Sequence, residues 1–405
     1  MPAASVPYPL AVEPVTGMSR KDADEALFED APLTSLQKRL GLLRTGKLNV
    51  GRRALLVVLV GWAPLVVLAI VQSLAARVDV ITPMLWEVGA HARYLIAAPL
   101  LVLAEVMCAP QLNEIVRHFA SSGIVSDHDR GRFDEIVAST RQRLQSNAAQ
   151  AISLLLAYLI TFAATLSFPL DQLPAWAAPV AGVPIYSLAG WWHTLVSVPL
   201  LLLLIFGWFW RLALWARALC CVSRLELRLV ASHPDHCAGL SFLGHSLRAF
   251  AIVALALAVI VAGRSAHVVL EGGALPTPYF FANAVLLLTI MVLFVAPLIV
   301  FTPTLMRAWR HGEFAYGALA NQVGHAFERK WLGQNADKSA LEKPDFSATT
   351  DLYGVVANVH AIRFVPVDLK DLTTIVIALL LPFVPVVLLA FPLDAIWGQI
   401  KSLLF

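Results

Sequence analysis

Side chains that can bind a metal are concentrated in one short stretch, Ser232 to Leu240, of an otherwise apolar sequence. His233, Asp235, His236 and Cys237 are all residue types that coordinate a borderline metal such as zinc. Neighbouring side chains point in different directions, however, and the stretch contains neither a C-x-x-C nor an H-x-x-x-H spacing. Zinc coordination by these four residues is therefore one hypothesis for this stretch.

A structured turn is the second hypothesis for the same residues. Pro234 fixes one backbone dihedral angle, Asp235 can accept hydrogen bonds from backbone N–H groups, and Gly239 can adopt a positive φ before the next helix. The third hypothesis is a loop that binds a ligand or a protein partner through His233, Pro234, Asp235 and Gly239.

Two charged residues inside long apolar runs, Glu105 and Arg211, are further candidates. A charge within a membrane is costly and is by default functional or paired with an opposite charge. Both residues fall in the half of the membrane that we assign to the cytoplasmic side, so they can meet. We interpret them either as a structural ion pair that joins two helices or as part of a path for a proton or another ion.

Another group of polar residues lies toward the opposite membrane surface. Arg264, His267 and Glu271 follow i, i+3, i+7 spacing and share one helix face, and His193 lies at a similar depth. Together they can form an anion site or a polar vestibule in which His267 titrates near neutral pH. The alternative is simple anchoring of these side chains at the membrane surface.

The composition of the whole chain indicates a membrane protein. Of its 405 residues, 59% are hydrophobic and 14% are charged, with a mean hydropathy of +0.73, whereas soluble proteins have roughly 25% charged residues. Seven apolar runs can each cross the bilayer as a helix of about 20 residues. The predicted spans are near residues 54–76, 94–109, 149–169, 191–222, 249–270, 279–306 and 372–393. We therefore predict an all-α, polytopic transmembrane helical bundle formed by residues 51–393.

The distribution of Lys and Arg predicts the orientation of this bundle, because cytoplasmic loops carry an excess of both. Loops 169–190 and 271–279 contain neither residue. The basic residues are concentrated instead in residues 1–50, 111–148, 223–248 and 307–370. We expect an N-terminus in the cytoplasm, a C-terminus outside and a location in the inner membrane of a bacterium.

The segments outside the spans are also predicted to be largely helical. Residues 1–50 contain leucines at helical spacing among basic residues, which indicates an amphipathic helix after a polar tail. The cytoplasmic loops 111–148, 223–248 and 307–370 carry helical extensions of the spans, and residues 394–405 form an interfacial helix.

The stretch His233-Pro234-Asp235-x-x-x-Gly239-Leu240, between two spans, resembles a cytoplasmic loop of uncharacterised bacterial multi-pass inner-membrane proteins. The resemblance extends to the segment Arg363 to Leu369 before the last span. It implies a multi-pass membrane fold and carries no activity.

Several classes of site have no signature in this sequence. We find no Gly-rich phosphate loop, nucleophile elbow, kinase motif or basic stripe for nucleic acid. The sequence also lacks the two pairs of suitably placed histidines that would bind two haems. We therefore expect no nucleotide, haem or nucleic-acid partner. The four cysteines are expected to stay reduced.

The leading functional hypothesis is a channel or transporter for a small ion or solute, with the charged residues of the spans as path or gate. The alternative is a membrane anchor or sensor that docks a cytoplasmic protein through the His233–Leu240 loop and the helical extensions. A metal-dependent membrane enzyme is the third hypothesis, although no enzyme signature favours it. The lipid bilayer is the expected partner, and association into a homo-oligomer is considered.

Overall fold

The structure, a computed structural model, describes residues 48–167, 174–178, 186–272, 277–332 and 345–390. Within these ranges, seven helices are long and apolar enough to cross a membrane. They are span 1 (Val50–Ala76), span 2 (Val88–Ser121), span 3 (Asn147–Ser167), span 4 (Leu188–Val222), span 5 (Ser241–Gly272), span 6 (Pro278–Ile299) and span 7 (Leu369–Ala390). The prediction of an all-α polytopic bundle with seven spans is confirmed, and the chain is a multi-pass membrane protein.

Five of the spans contain a change of helix geometry, in most cases beside a proline. Span 1 consists of Leu48–Gly61 and Ala63–Ala76, and span 5 of a short 3-10 turn at Ser241–Gly244 followed by His245–Gly272. Spans 2 and 4 each contain a π-helical turn, at Ala92–Ala97 and His193–Ser197. Span 7 consists of Leu369–Leu380, a 3-10 turn at Leu381–Phe383 and Val384–Ala390.

The remaining helices lie between the spans. Ile81–Leu85 follows span 1, and Arg130–Leu144 connects spans 2 and 3 after a 3-10 turn at Asp127–Asp129. Thr302–Trp331 and Asp345–His360 precede span 7 and contact each other. We call the end of the bundle that carries residues 122–146, 223–240, 300–332 and 345–368 the loop end, and the end that carries residues 77–87, 174–178 and 186–187 the Trp176 end.

Span 5 is the central helix of the bundle. Within its most apolar segment, 72% of the residues are buried, whereas the values for the other six spans range from 11% to 44%. Span 5 contacts spans 2, 6 and 7. Gly263 permits the contact with span 2, because a Cβ atom at this position would overlap the Cβ of Ala92. Small residues at such positions allow membrane helices to approach closely.

The helix boundaries differ from the predicted ones in two places. Span 2 begins at Val88 rather than at the predicted residue 94, because the chain is already helical on both sides of Arg93, and it ends at Ser121, within loop 111–148, where a helical extension is predicted. Span 6 ends at Ile299, and a new helix begins at Thr302 with Pro303 in its first turn. The predicted helices within residues 1–47 and 394–405 lie outside the described residues.

Candidate functional site

A first cluster of ionisable side chains within the spans is centred on Glu105. Arg211 Nη2 lies 2.6 Å from Glu105 Oε1, and Arg53 Nη2 lies 2.5 Å from Glu105 Oε2. The three side chains are between 5% and 9% exposed. The structure thus brings Glu105 and Arg211 together and adds Arg53, which sequence reasoning missed because it stands at the edge of the first apolar run.

This first cluster joins three spans. Glu105 belongs to span 2, Arg53 to span 1 and Arg211 to span 4, and the guanidinium of Arg211 also lies 4.6 Å from the centre of the Trp208 ring. Each oxygen of the Glu105 carboxylate accepts a hydrogen bond from a different arginine. Removing one member of a buried ionic group typically costs about 3–5 kcal/mol. The arrangement favours the structural interpretation of the Glu105–Arg211 pair.

The second cluster lies at the Trp176 end and is centred on Glu87, which is 3% exposed. Trp176 Nε1 donates a hydrogen bond of 3.2 Å to Glu87 Oε2, and His267 Nε2 lies 3.5 Å from the same oxygen. His267 Nε2 also lies 3.2 Å from Glu271 Oε1. We call this set the Glu87 cluster and define it as Glu87, Arg93, Tyr94, Trp176, His193, His267 and Glu271.

Aromatic rings enclose His193 within the Glu87 cluster. The ring of Trp176 stands perpendicular to the imidazole, with 5.2 Å between the ring centres, and the ring of Tyr94 approaches it at 5.9 Å. Arg93 lies beside the same tyrosine, 5.9 Å from its ring centre, and donates from Nε to the carbonyl oxygen of Gly89 at 2.9 Å. Spans 2, 4 and 5 therefore all contribute polar side chains to this cluster.

The two π-helical turns position part of the Glu87 cluster. Arg93 and Tyr94 lie in the π turn of span 2, and His193 lies in that of span 4. Each turn is followed by a proline, Pro99 or Pro199, which cannot donate the backbone hydrogen bond of a regular helix. Arg93 and His193 each stand six residues before that proline. Such turns occur frequently at functional sites.

Three buried polar atoms of the Glu87 cluster make no hydrogen bond with any residue that the structure describes. They are the hydroxyl of Tyr94, Nε2 of His193 and Nδ1 of His267. Tyr94 is only 1% exposed. A buried polar group without a partner typically costs about 1–3 kcal/mol, so three of them in one cluster call for an explanation.

Sequence reasoning found only part of this cluster. His193, His267 and Glu271 were candidates, and the structure places them together, whereas Arg264 is exposed on span 5 and no described contact joins it to them. Sequence reasoning misses Glu87, Arg93 and Trp176 because they lie between predicted spans, and it misses Tyr94 because this residue stands at the predicted start of the second span. The matching positions of Arg93 and His193 before a proline are the signal that could have found the two π turns.

The stretch Ser232 to Leu240 forms a turn organised by Asp235. Its carboxylate accepts backbone hydrogen bonds from Cys237 (2.9 Å), Gly239 (3.1 Å) and Ser241 (3.0 Å). His233 Nδ1 lies 2.8 Å from the same carboxylate. Burial alone would raise the pKa of Asp235, but these hydrogen bonds outweigh it and hold the pKa below its usual value. Gly239 has φ +95°, as expected for the glycine of such a turn.

Arg363 attaches this turn to the segment before span 7. Its Nη2 donates to the carbonyl oxygen of Asp235 at 3.0 Å. Its backbone N–H donates to the carbonyl oxygen of His236 at 2.8 Å. Nη1 donates to Asp368 Oδ1 at 3.1 Å, and the same oxygen caps the first turn of span 7 through Leu369 N. The two segments that carried the family resemblance are therefore in direct contact. Pro234 is exposed on the outside of the turn.

A metal site at this turn stays a prediction. Among the residues that the structure describes, no group of three or more His, Cys, Asp or Glu side chains has a geometry that could hold a metal ion. Cys237 is fully buried, and burial raises the pKa of its thiol to about 11. Docking of a partner through His233, Pro234, Asp235 and Gly239 also stays a prediction, and Asp235 and Gly239 form hydrogen bonds within the turn.

Comparison of the chain with protein-family models, with curated proteins and with solved structures gave no match.

Proposed function

We propose that this multi-pass membrane protein is a channel or transporter for a small ion or solute, and that the Glu87 cluster is its proton-binding site. The observation that carries the proposal is the row Glu271, His267, Glu87. The side chain of Glu271 is 69% exposed, that of His267 is 12% exposed and that of Glu87 is 4% exposed. A proton that binds the exposed Glu271 carboxylate can therefore reach the buried Glu87 carboxylate by two transfers, first to His267 and then to Glu87.

The chemistry of this row suits proton transfer. An imidazole nitrogen can accept a proton from one carboxyl group and pass it to another carboxylate within reach of the same nitrogen. His267 Nε2 faces both carboxylates, at 3.2 Å from Glu271 and 3.5 Å from Glu87. Protonation of Glu87 would remove the negative charge that the cluster holds beside Trp176. A change of charge at a buried site can drive a change between two conformations of the surrounding helices.

The unpartnered atoms support a second role for the same cluster. The hydroxyl of Tyr94 and Nε2 of His193 are buried beside Trp176 and can hydrogen-bond to a small polar solute or ion. Buried polar groups within membrane helices are costly and are by default functional. Glu105 and Arg211 take no part in this proposal, since both are paired within the first cluster.

The location follows from the basic loops and belongs to the same proposal. We place the protein in the inner membrane of a bacterium with the loop end in the cytoplasm. The Glu87 cluster would then face the outside, where proton-driven uptake begins.

Purified protein in liposomes that contain the pH-sensitive dye pyranine tests the proposal. A potassium gradient with valinomycin supplies the membrane potential, and the initial rate of internal acidification is measured. We expect Glu87→Gln and His267→Gln to lower this rate by roughly 100-fold, the lower range of effects for a positioned proton-transferring side chain. Glu271→Gln should lower it only a few-fold, because water can replace an exposed carboxylate.

Folding of each variant is checked by gel filtration and by its melting temperature before the flux is compared. Acidification by the wild-type protein no faster than in protein-free liposomes would contradict the proton site. So would a folded Glu87→Gln variant with unchanged flux.

A further inference from the structure

A groove of about 710 Å³ lies on the outside of the bundle between spans 4 and 6. Span 4 contributes one wall, which extends from Phe209 to Cys220, and span 6 contributes the other, from Leu293 to Val300. Small side chains such as Ala213 keep the groove open. Apart from the ends of Arg217 and Cys220, its lining is apolar.

The length and position of this groove match one leaflet of the bilayer. From Phe209 to Cys220 the helix rises by about 16 Å at ~1.5 Å per residue, and half of the ~30 Å hydrocarbon core is about the same. Cys220 and Val300 lie at the loop end, close to the last residues of spans 4 and 6, Val222 and Ile299. The groove therefore covers the leaflet at the loop end and stops near the middle of the membrane.

Arg217 is the charged residue of the groove lining and lies near its loop end. Its only described hydrogen bond is a long one, from Nη1 to Ser139 Oγ at 3.4 Å. No carboxylate among the described residues forms an ion pair with it. A long basic side chain at this depth can lie along apolar surface while its charged end reaches the head-group region.

A second basic residue lies at the same edge. Arg307 Nη2 donates to Thr304 Oγ1 at 3.2 Å, and Thr304 Oγ1 donates to the carbonyl oxygen of Ser223 at 3.4 Å, directly after span 4. Arg307 itself is exposed. Positive charge is thus present where the phosphate of a lipid in the groove would lie.

We propose that this groove binds an anionic phospholipid of the loop-end leaflet, with one acyl chain between spans 4 and 6 and its phosphate against Arg217. The proposal does not depend on the transport function. The shape of the groove selects an acyl chain, and the guanidinium of Arg217, which has no carboxylate partner among the described residues, selects an anionic head group over a zwitterionic one.

Photocrosslinking of the full-length protein in nanodiscs tests this proposal. Phosphatidylglycerol and phosphatidylcholine analogues, each with a diazirine on one acyl chain, are compared at equal mole fraction, and adducts on peptides of spans 4 and 6 are quantified by mass spectrometry. We expect about fivefold more adduct from phosphatidylglycerol, the effect of roughly one basic residue near an anionic lipid.

Two variants separate the head group from the acyl chain. Arg217→Gln should reduce the preference for phosphatidylglycerol to parity, whereas the control Arg52→Gln, an exposed basic residue at the loop end of span 1, should leave it unchanged. Ala213→Trp should fill the groove and abolish adducts from both lipids.

Three outcomes would overturn the proposal. The first is equal labelling by the two lipids in the wild-type protein, and the second is a preference that persists in Arg217→Gln. The third is labelling of spans 4 and 6 by neither lipid in the wild-type protein, the result expected if a second copy of the chain occupies the groove.

Discussion

At the scale of single residues, carboxylates at fixed positions organise both ends of this bundle. Asp235 ties together the turn before span 5, Asp368 caps span 7, and Glu105 pairs with two arginines between the spans. In each case hydrogen bonds or guanidinium groups compensate the negative charge. For Asp235 and Glu105, whose side chains are 13% and 9% exposed, this compensation is the condition for burying the charge. Glu87 differs, because its described partners are an indole N–H and an imidazole.

The Asp235 carboxylate should contribute stability that depends on pH. Because hydrogen bonds hold its pKa below the usual value, this contribution is complete above the unfolded-state pKa of about 3.9 and is lost as pH falls through the lower folded-state pKa. Asp235→Asn should therefore destabilise the protein by about 1–3 kcal/mol near pH 7. The difference from the wild type should shrink below about pH 4.

Thermal unfolding of the purified protein across this pH range measures the effect. Asp351→Asn, on the exposed surface of the helix Asp345–His360, is the control and should change the melting temperature little at any pH. An Asp235→Asn variant as stable as the wild type at neutral pH would mean that the turn does not depend on this charge.

At the scale of helices, close packing around span 5 decides how the bundle is held together. Gly263 lies against Ala92 in the π turn of span 2, and Gly244 lies against Asp371 at the start of span 7. Asp371 is 1% exposed and pairs with Arg248 of span 5 at 2.5 Å. Span 5 therefore holds one neighbour at the Trp176 end and another at the loop end.

Gly263→Val should separate span 5 from span 2 near the Glu87 cluster. Its side chain would overlap Ala92, and overpacking of this kind typically costs about 1–3 kcal/mol. Gly272→Val, on the same helix, is the matched control, because a Cβ atom there has no heavy atom within 4 Å. A lower melting temperature in the first variant only is expected, and equal melting temperatures would contradict the close contact.

At the scale of the whole molecule, the distribution of charge predicts which way the bundle faces. We expect the loop end in the cytoplasm. Single cysteines at Val78, on the Trp176 end, and at Glu328, on the loop end, report this orientation, since the two side chains are 42% and 64% exposed. Cys220 and Cys221 are replaced by serine, and the buried Cys108 and Cys237 stay in place.

A maleimide that cannot cross membranes is added to intact spheroplasts and then to lysed ones. Val78→Cys should react in both, and Glu328→Cys only after lysis. The reverse pattern would contradict the orientation and would place the Glu87 cluster on the cytoplasmic side.

The sequence by itself determined the fold class and the number of spans, because six of the seven apolar runs contain more than 20 residues, enough to cross the bilayer, and only a helix satisfies the backbone hydrogen bonds there. It also identified Asp235 as the residue of a turn, since the residue types around it have local preferences. Only the tertiary structure decided which charges meet. Arg53, Glu105 and Arg211 are far apart in the chain, and Glu87, His193 and His267 come from three separate segments. Their contacts depend on how the spans pack against one another, and the hydropathy of a span does not determine which other spans it contacts.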